Sequence, residues 1–327
     1  MNASLRIAVV GCGALGVWVG ARLAQTGRRV SALARGETLA ALIAYGFRLV
    51  ENGTETAYPA TAAETAGPLG VQDLVIVTVK GPALVGAAPA VAALCGPQTT
   101  VVSMMNGVPW WFFAGKAGRP ELLSVDPEGV IADLIPTHRV LGCVAHASCA
   151  TAEPGKVVHR TGNGMILGEA LGGASPRLGA AAEVFREAGF DVTVSEHIQR
   201  DIWYKLWGNM TMNPISALTG ATCDRILDDS LVNGFLLQLM AEAAEVGARI
   251  GCPISESGAD RNAVTRKLGA FKTSMLQDLE AGRPIELDAL VAAPHEIARQ
   301  VGVATPAMDA LLGLTRLLAR SRGLYGG

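Results

Sequence analysis

The chain has 327 residues, half of them apolar, and a formal net charge of −2 at pH 7. A chain longer than about 250–300 residues usually forms more than one domain, and this composition is that of a folded protein. The near-neutral charge excludes a basic surface for nucleic acid or anionic lipid. No apolar run reaches the ~18 residues of a spanning helix, so we expect a cytoplasmic protein with no membrane partner.

The first half of the chain alternates apolar strands with helices. Strand signals lie at residues 6–11, 28–35, 72–80 and 99–107, and a helical segment covers 14–27. Strands that are apolar throughout are typical of parallel strands covered on both faces. Strands separated by helices predict right-handed βαβ units. The predicted fold class is therefore α/β, with an N-terminal Rossmann-type, doubly wound sheet.

A GxGxxG motif follows the first strand and opens the first helix. Its residues are Gly11, Cys12, Gly13, Ala14, Leu15 and Gly16. The first glycine permits a tight turn, the second lets the backbone approach a pyrophosphate, and the third lets the helix pack on the strand. The N–H groups at the helix N-terminus favour a phosphate. In this context the motif predicts a dinucleotide site, although alone it is weak in a chain with 39 glycines.

The second strand ends at Arg35, 24 residues after Gly11. NAD sites usually have an acidic residue near this position to bind the ribose 2′-hydroxyl, whereas an arginine suits a 2′-phosphate. We therefore predict NADP(H) as the cofactor. Glu37, two residues further on, keeps NAD(H) open, and Arg35 could also be a solvated surface residue.

Two later strands end in polar residues, Lys80 and Asn106. In doubly wound sheets the ligand crevice lies outside the carboxyl ends of the strands, so both residues are candidates for it. Lys80 could instead be a solvated strand end, and Asn106 could instead belong to a simple Asn-Gly turn.

Shorter elements follow from about residue 140. Strand signals lie at 139–149, 155–160, 164–169 and 190–196, with an amphipathic helix at 175–189. We expect these strands to extend the sheet in antiparallel fashion and to complete a first domain at residues 1–195. The six cysteines form no C-x-x-C pair and no group at metal-ligand spacing, so we expect buried thiols and no metal site.

The remaining residues, 196–327, predict an all-helical C-terminal domain. Helical segments lie at 200–220, 230–251, 263–282 and 286–302, and most end in glycine. We assign this domain to substrate binding and dimerisation, because its apolar composition makes a homodimer plausible.

The first of these helices carries Lys205, Asn209 and Asn213 at intervals of four residues. They form one polar stripe about 12 Å long on an otherwise apolar, aromatic helix. A buried lysine without a partner is costly, so the stripe favours a pocket wall over a core. Pro214 disfavours helical geometry at Asn213, and we expect a kink or break there.

Together these residues resemble the ketopantoate reductase (2-dehydropantoate 2-reductase) family, nearly from end to end. The most specific parts are K-x3-N-x3-N-P at 205–214, S-M-L-Q-D at 274–278 and I-E at 285–286. The resemblance implies that Lys205 protonates the ketone oxygen while NADPH delivers hydride to the carbonyl carbon. The implied reaction is reduction of 2-dehydropantoate to (R)-pantoate, on the route to pantothenate and coenzyme A.

The resemblance implies roles for the other matching residues as well. Asn209 and Asn213 would line the substrate site, and Ser274 would help to hold the substrate. Glu286 would lie near the nicotinamide ribose and the reacting centre. Lys80 and Asn106 match cofactor-binding residues, with Asn106 also placed to touch the substrate.

The aromatic run at residues 108–113 and the segment after it, at 114–140, depart from compact family members. The aromatics form either a hydrophobic lip of the substrate pocket or a packing element. The substrate could therefore be another 2-oxo acid or ketone. Two further functions stay open, a β-hydroxyacid or opine-type dehydrogenase and a non-catalytic NADP(H)-binding sensor.

Overall fold

The computed structural model describes residues 5–116, 121–267 and 269–325. The chain divides into two compact units. Unit 1 consists of Met1–Met105, Trp111–Arg119 and Gly129–Ile198, and unit 2 consists of Asn106–Trp110, Pro120–Glu128 and Gln199–Gly327. The sequence predicts one boundary, between residues 195 and 196. It does not predict the two short segments that join unit 2, because their partners lie far along the chain.

Unit 1 is built on a ten-stranded sheet. Its strands are β1 Ile7–Val10, β2 Val30–Leu33, β3 Phe47–Glu51, β4 Thr54–Tyr58, β5 Thr61–Ala63, β6 Gln72–Val77, β7 Cys95–Ser103, β8 Val140–Glu153, β9 Lys156–Glu169 and β10 Asp191–Ser195. Six neighbours run parallel in the order β5-β2-β1-β6-β7-β8. This is the 3-2-1-4-5-6 order of dinucleotide-binding folds. The predicted Rossmann-type sheet is confirmed.

Five α-helices accompany this sheet in the described part of unit 1. They are α1 Ala14–Gln25, α2 Gly36–Tyr45, α3 Gly81–Ala93, α4 Val130–Leu134 and α5 Pro176–Glu187. Strand β1 is buried at every position, as expected for a central strand covered on both faces. Trp18, Phe47 and Phe185 are fully buried, so large aromatic side chains fill the space between helices and sheet.

The strands after residue 140 are longer than predicted. The expected separate strands at 155–160 and 164–169 are one strand, β9, of 14 residues, so that prediction is wrong. β9 pairs with β8 in the expected antiparallel sense, but it runs parallel to β3 and β10. Register shifts between β8 and β9 interrupt the regular pairing, which explains why the sequence pattern resembles two strands.

Unit 2 contains helices and no strands in its described residues from 199 onward, as predicted. Its helices are α6 Ile198–Thr219, α7 Cys223–Asp228, α8 Ser230–Arg249, α9 Gly258–Arg266, α10 Ser274–Glu280, α11 Ala293–Gln300 and α12 Pro306–Ser321. The single helix expected at 263–282 is in fact two, α9 and α10. Thr273 caps α10 by accepting the Leu276 N–H, and such a cap starts a new helix.

The sequence predicts a kink or break at Asn213, and the break is wrong because helix α6 runs through Pro214 to Thr219. Proline removes one backbone donor from the helix interior and disfavours helical geometry before it. Here Met212, Ile215 and Ala217 are buried around it, and this packing outweighs the local preference. The polar stripe therefore lies on one uninterrupted helix.

The aromatic run at 108–113 is buried. Trp110, Trp111, Phe112 and Phe113 are each less than a tenth exposed. A Cβ at Gly142 would lie 2.5 Å from the Trp111 ring, so β8 needs glycine beside this aromatic residue. These contacts favour the packing interpretation over a solvent-exposed lip. Among the described helices, none combines the length and the apolar character that a bilayer crossing requires.

Candidate active site

The glycines of the GxGxxG loop have distinct surroundings in unit 1. Gly11 adopts a φ of +95°, and a Cβ there would lie 2.6 Å from the Val79 side chain. A Cβ at Gly16 would overlap the Gly11 carbonyl oxygen and lie 2.7 Å from Thr78 Oγ1. A Cβ at Gly13 would meet nothing within 4 Å. Two glycines are therefore required by the fold, while the middle one faces open space.

Helix α1 begins directly after Gly13, which occupies the N-cap position and provides no side chain to cap the helix. The first N–H groups of a helix have no intrahelical partner, and they attract anions. No acidic residue lies in the first turn of α1 to compete with such a ligand. The loop thus has the open backbone and the exposed donors that a pyrophosphate needs.

Cys12 contributes its backbone to this loop, while its side chain is 8% exposed. Burial raises the pKa of its thiol to about 12, so the sulfur stays protonated at neutral pH. All six cysteines are free, and four of them are buried. Across residues 5–116, 121–267 and 269–325 no group of His, Cys, Asp or Glu side chains could hold a metal.

Arg35 and Lys80 follow the carboxyl ends of β2 and β6 in unit 1. Both residues are exposed, and each occupies the N-cap position of the next helix. Within the described residues the Arg35 guanidinium has no ion pair and no hydrogen bond. Glu37 is also exposed, in the first turn of α2. The carboxyl edge of the sheet therefore presents cationic side chains in the positions predicted from the sequence.

In unit 2, Lys205 contacts Asn106 directly. The Lys205 ammonium Nζ donates a hydrogen bond of 2.9 Å to Asn106 Oδ1, across 99 residues of sequence. Lys205 is half-buried, and its helix neighbours Trp203, Leu206 and Trp207 are buried. Two residues that the sequence places in separate elements thus form one polar pair.

Two tryptophans fix the position of α6 within unit 2. Trp203 Nε1 donates to the Ala243 carbonyl at 3.2 Å, and Trp207 Nε1 donates to the Met240 carbonyl at 2.8 Å. Both acceptors lie on α8. A Cβ at Gly247 would overlap Trp203 Nε1 and lie 2.8 Å from Cδ1 of the same ring, so a glycine on α8 makes this close approach feasible. The lysine therefore projects from a helix that packing and hydrogen bonds hold in place.

The loop that carries Asn106 is held by a second contact. The Val108 N–H donates to the Ala289 carbonyl at 2.8 Å. Gly107 has a φ of +81°, and a Cβ there would overlap the Ala289 carbonyl oxygen. Ala289 belongs to a π-helical turn at Asp288–Ala292, a rare element that is often found at functional sites.

The same π turn begins two residues after Glu286. Glu286 is buried, with 7% of its surface exposed. The Tyr325 hydroxyl donates a hydrogen bond to Asp288, and burial and this bond raise the Tyr325 pKa to about 12. Asp288, Ala289 and Tyr325 are not among the residues predicted from the sequence. In the sequence, Asp288 is visible only as an acidic residue two positions after Glu286. That spacing does not predict a hydrogen bond to Tyr325, 37 residues further on.

Asn209 and Asn213 lie on the face of α6 that carries Lys205. Asn209 is half-buried and Asn213 is 7% exposed. Neither side-chain amide has a hydrogen bond with another described residue. Each amide can donate two hydrogen bonds and accept two, so both have capacity for a polar ligand.

Ser274 is the first residue of α10 and is exposed. Its hydroxyl has no hydrogen bond within the part of the chain that the structure describes. The structure joins Lys205 to Asn106, and the loop of Asn106 to the turn after Glu286. It gives no hydrogen bond between the Ser274 side chain and these described residues.

Comparisons with known proteins identify the family of the chain. The family model described as ketopantoate reductase PanE/ApbA matches residues 7–172, and the model of its C-terminal part matches residues 197–319. The chain belongs to the ketopantoate reductase family. It is therefore an oxidoreductase, and the predicted family is confirmed.

Individual relatives of this family cover nearly the whole chain. A 2-dehydropantoate 2-reductase from Mesorhizobium japonicum is 43% identical over 98% of this chain and 100% of its own length. A protein from Ralstonia solanacearum MolK2 assigned as a ketopantoate reductase has a crystal structure with a TM-score of 0.94 and 58% identity, covering 98% of this chain and 99% of that one. The crystal structure of a 2-dehydropantoate 2-reductase from Geobacter metallireducens GS-15 has a TM-score of 0.85 and 27% sequence identity. The match covers 96% of this chain and 100% of that one.

Proposed function

We propose that the protein reduces a 2-oxo acid with NADPH, and that 2-dehydropantoate, reduced to (R)-pantoate, is its substrate. The observation that carries this proposal is the Lys205–Asn106 hydrogen bond of 2.9 Å beside two asparagine amides with free capacity. The membership in the ketopantoate reductase family and the names of its close relatives support the same substrate.

Lys205 is the general acid in this proposal. A ketone that accepts hydride gains negative charge on oxygen, and a positioned proton donor lowers the barrier to that step. The bond to Asn106 orients the ammonium without adding charge, so the proton remains available. Partial burial strengthens the interaction between this cation and the growing oxyanion.

Neutral side chains would hold the rest of the substrate. Asn209 and Asn213 can donate to its carboxylate and hydroxyl, and Ser274 can add a further hydrogen bond. Asn106 would contact the substrate as well as Lys205. Glu286 would accept from a ribose hydroxyl and orient groups at the reacting centre.

Unit 1 would hold the cofactor. Its open Gly13 backbone and the N-terminus of α1 fit a pyrophosphate, and Arg35 and Lys80 are exposed cations suited to further phosphate groups. When bound, the nicotinamide supplies the hydride. Because Arg35 has no ion pair within the described residues, it suits a 2′-phosphate, and we favour NADP(H) over NAD(H).

The test is an assay of NADPH oxidation with 2-dehydropantoate and a panel of other 2-oxo acids. We expect turnover with 2-dehydropantoate at the highest kcat/KM. A higher kcat/KM for another 2-oxo acid would replace the substrate but keep the reaction. Absence of turnover across the panel, with tight NADPH binding, would favour a non-catalytic sensor.

We also propose a homodimer. Leu314 and Leu317 on α12 and Leu231 on α8 are 58%, 66% and 85% exposed, an unusual display for large apolar side chains. Leu314 and Leu317 are three residues apart and so share a helix face. Light scattering of the purified protein tests the dimer, and a monomeric mass would contradict it.

A further inference from the structure

Arg261 lies on helix α9 in unit 2. Within the described residues its guanidinium makes no ion pair and donates no hydrogen bond. Its Nε is buried and has no acceptor in the described part of the chain. A buried donor that lacks an acceptor lowers stability, so such a donor calls for an explanation.

The guanidinium lies against Gly208, on the helix that carries Lys205 and Asn209. A Cβ at position 208 would be 3.0 Å from Arg261 Nη2, 3.3 Å from Nε and 3.4 Å from Cζ. Glycine inside a helix is unfavourable relative to alanine. The missing side chain therefore makes a notch in α6 at Gly208, and the arginine fills it.

Tyr204 holds the other side of the same guanidinium. Arg261 Cζ lies 5.6 Å from the centre of the Tyr204 ring, and the Tyr204 hydroxyl donates to the Glu256 carboxylate. That carboxylate thus bonds the tyrosine and does not pair with Arg261. The planar cation is oriented by a ring and a glycine, neither of which neutralises its charge.

The notch is next to the proton donor. Gly208 follows Lys205 by three residues, a spacing that brings Cβ positions to about 5–6 Å on a helix. A 2-oxo acid carries its carboxylate on the carbon adjacent to the ketone. A ketone oxygen at Lys205 therefore brings the carboxylate within reach of a cation on the neighbouring part of the helix surface.

We infer that Arg261 binds the carboxylate of the substrate and determines specificity for 2-oxo acids over uncharged ketones. The inference rests on the proposed function, and it adds a charged residue to a set of neutral donors. Arginine suits this role because its planar fork matches a carboxylate with two parallel hydrogen bonds.

The test compares Arg261→Gln with wild type on two substrates, a 2-oxo acid and its uncharged ester, with NADPH as cofactor. We expect kcat/KM for the acid to fall about 100-fold, through KM, because charge-assisted hydrogen bonds are lost. The value for the ester should change less than about threefold. Arg261→Lys, which keeps the charge but not the fork, should recover part of the loss.

Arg266→Gln is the matched control. Arg266 lies on the same helix but pairs with Asp228, and both acid and ester activity should stay at the wild-type value. An equal fall for acid and ester in Arg261→Gln would overturn the inference and leave the proposed function intact, since the role of the arginine would then be packing against Tyr204.

A binding measurement keeps the inference testable if no 2-oxo acid is reduced. Calorimetry with pantoate, a 2-hydroxy acid, should give a dissociation constant about 100-fold higher for Arg261→Gln than for wild type. Equal constants would overturn the inference. Failure of the proposed function would be recognised separately, by a wild-type protein that lacks turnover.

Discussion

The GxGxxG loop of unit 1 and the polar stripe of unit 2, Lys205, Asn209 and Asn213, present polar groups by different means. The loop offers backbone N–H groups, and it depends on side chains that are missing at Gly11, Gly13 and Gly16. The stripe offers side chains, and Lys205 is hydrogen-bonded to Asn106. Trp203 and Trp207 hold the helix of the stripe by hydrogen bonds to α8. A backbone site is therefore sensitive to added atoms, while a side-chain site is sensitive to removed ones.

The largest effect is expected from removing Lys205, the proposed proton donor. Lys205→Ala should lower kcat with 2-dehydropantoate by about 10²- to 10⁴-fold, the usual contribution of general acid catalysis. The dissociation constant for NADPH should stay within about twofold, because the loop in unit 1 is untouched. Steady-state kinetics and fluorescence titration measure the two quantities.

Lys267→Ala, at an exposed position after α9, is the control for this variant. It should match wild type in both measurements. Unchanged kcat in Lys205→Ala would contradict the assignment of the general acid and support a non-catalytic role.

Adding one methyl group separates the two kinds of glycine in the loop. Gly16→Ala should lower the free energy of unfolding by about 2 kcal/mol or more, because its Cβ overlaps the Gly11 carbonyl. Gly13→Ala should leave stability within about 0.5 kcal/mol, since its Cβ meets nothing within 4 Å.

The same pair of variants tests the ligand of the loop. In Gly13→Ala the NADPH dissociation constant should rise about tenfold or more if the loop binds the pyrophosphate as proposed, because the added methyl group would keep the phosphate from the backbone. Denaturant unfolding and NADPH titration check both variants. Wild-type affinity in Gly13→Ala would remove the loop from the cofactor site.

Cofactor preference gives a smaller effect. Arg35→Ser should weaken NADPH binding about 10- to 100-fold, the range for a lost hydrogen bond to a charged group. NADH lacks the 2′-phosphate, so its dissociation constant should change little. An equal rise in the dissociation constants of NADPH and NADH would show that Arg35 does not contact the 2′-phosphate.

The smallest effect concerns Tyr325, which anchors the π turn after Glu286. Its pKa is raised to about 12, so the folded state holds the proton more tightly than the unfolded state. The contribution of this tyrosine to the free energy of unfolding is fully present below about pH 10 and is lost as the pH rises towards 12. After allowance for solvent screening it amounts to about 1 kcal/mol.

Tyr325→Phe should remove that alkaline dependence. Urea unfolding of both proteins at about pH 8 and about pH 11 measures it, and the fall in free energy of unfolding should be smaller for the variant. An identical fall in both proteins would contradict the tyrosine as its source.

The sheet, the family and the identity of the candidate groups can all be predicted from the order of amino acids alone. Apolar strands separated by helices, the GxGxxG loop and the spacing of Lys205, Asn209 and Asn213 are local patterns. Local patterns can be predicted because helix and strand periods fix which residues share a face. They also lead to errors where packing prevails, as at Pro214 in α6 and between α9 and α10.

Contacts between residues that are distant in the sequence are decided only by the tertiary structure. Asn106 contacts Lys205, 99 residues away, and Asp288 contacts Tyr325, 37 residues away. The guanidinium of Arg261, which has no ion pair within the described residues, lies in the notch at Gly208. Such contacts depend on packing summed over the whole unit, which no local pattern of the chain records.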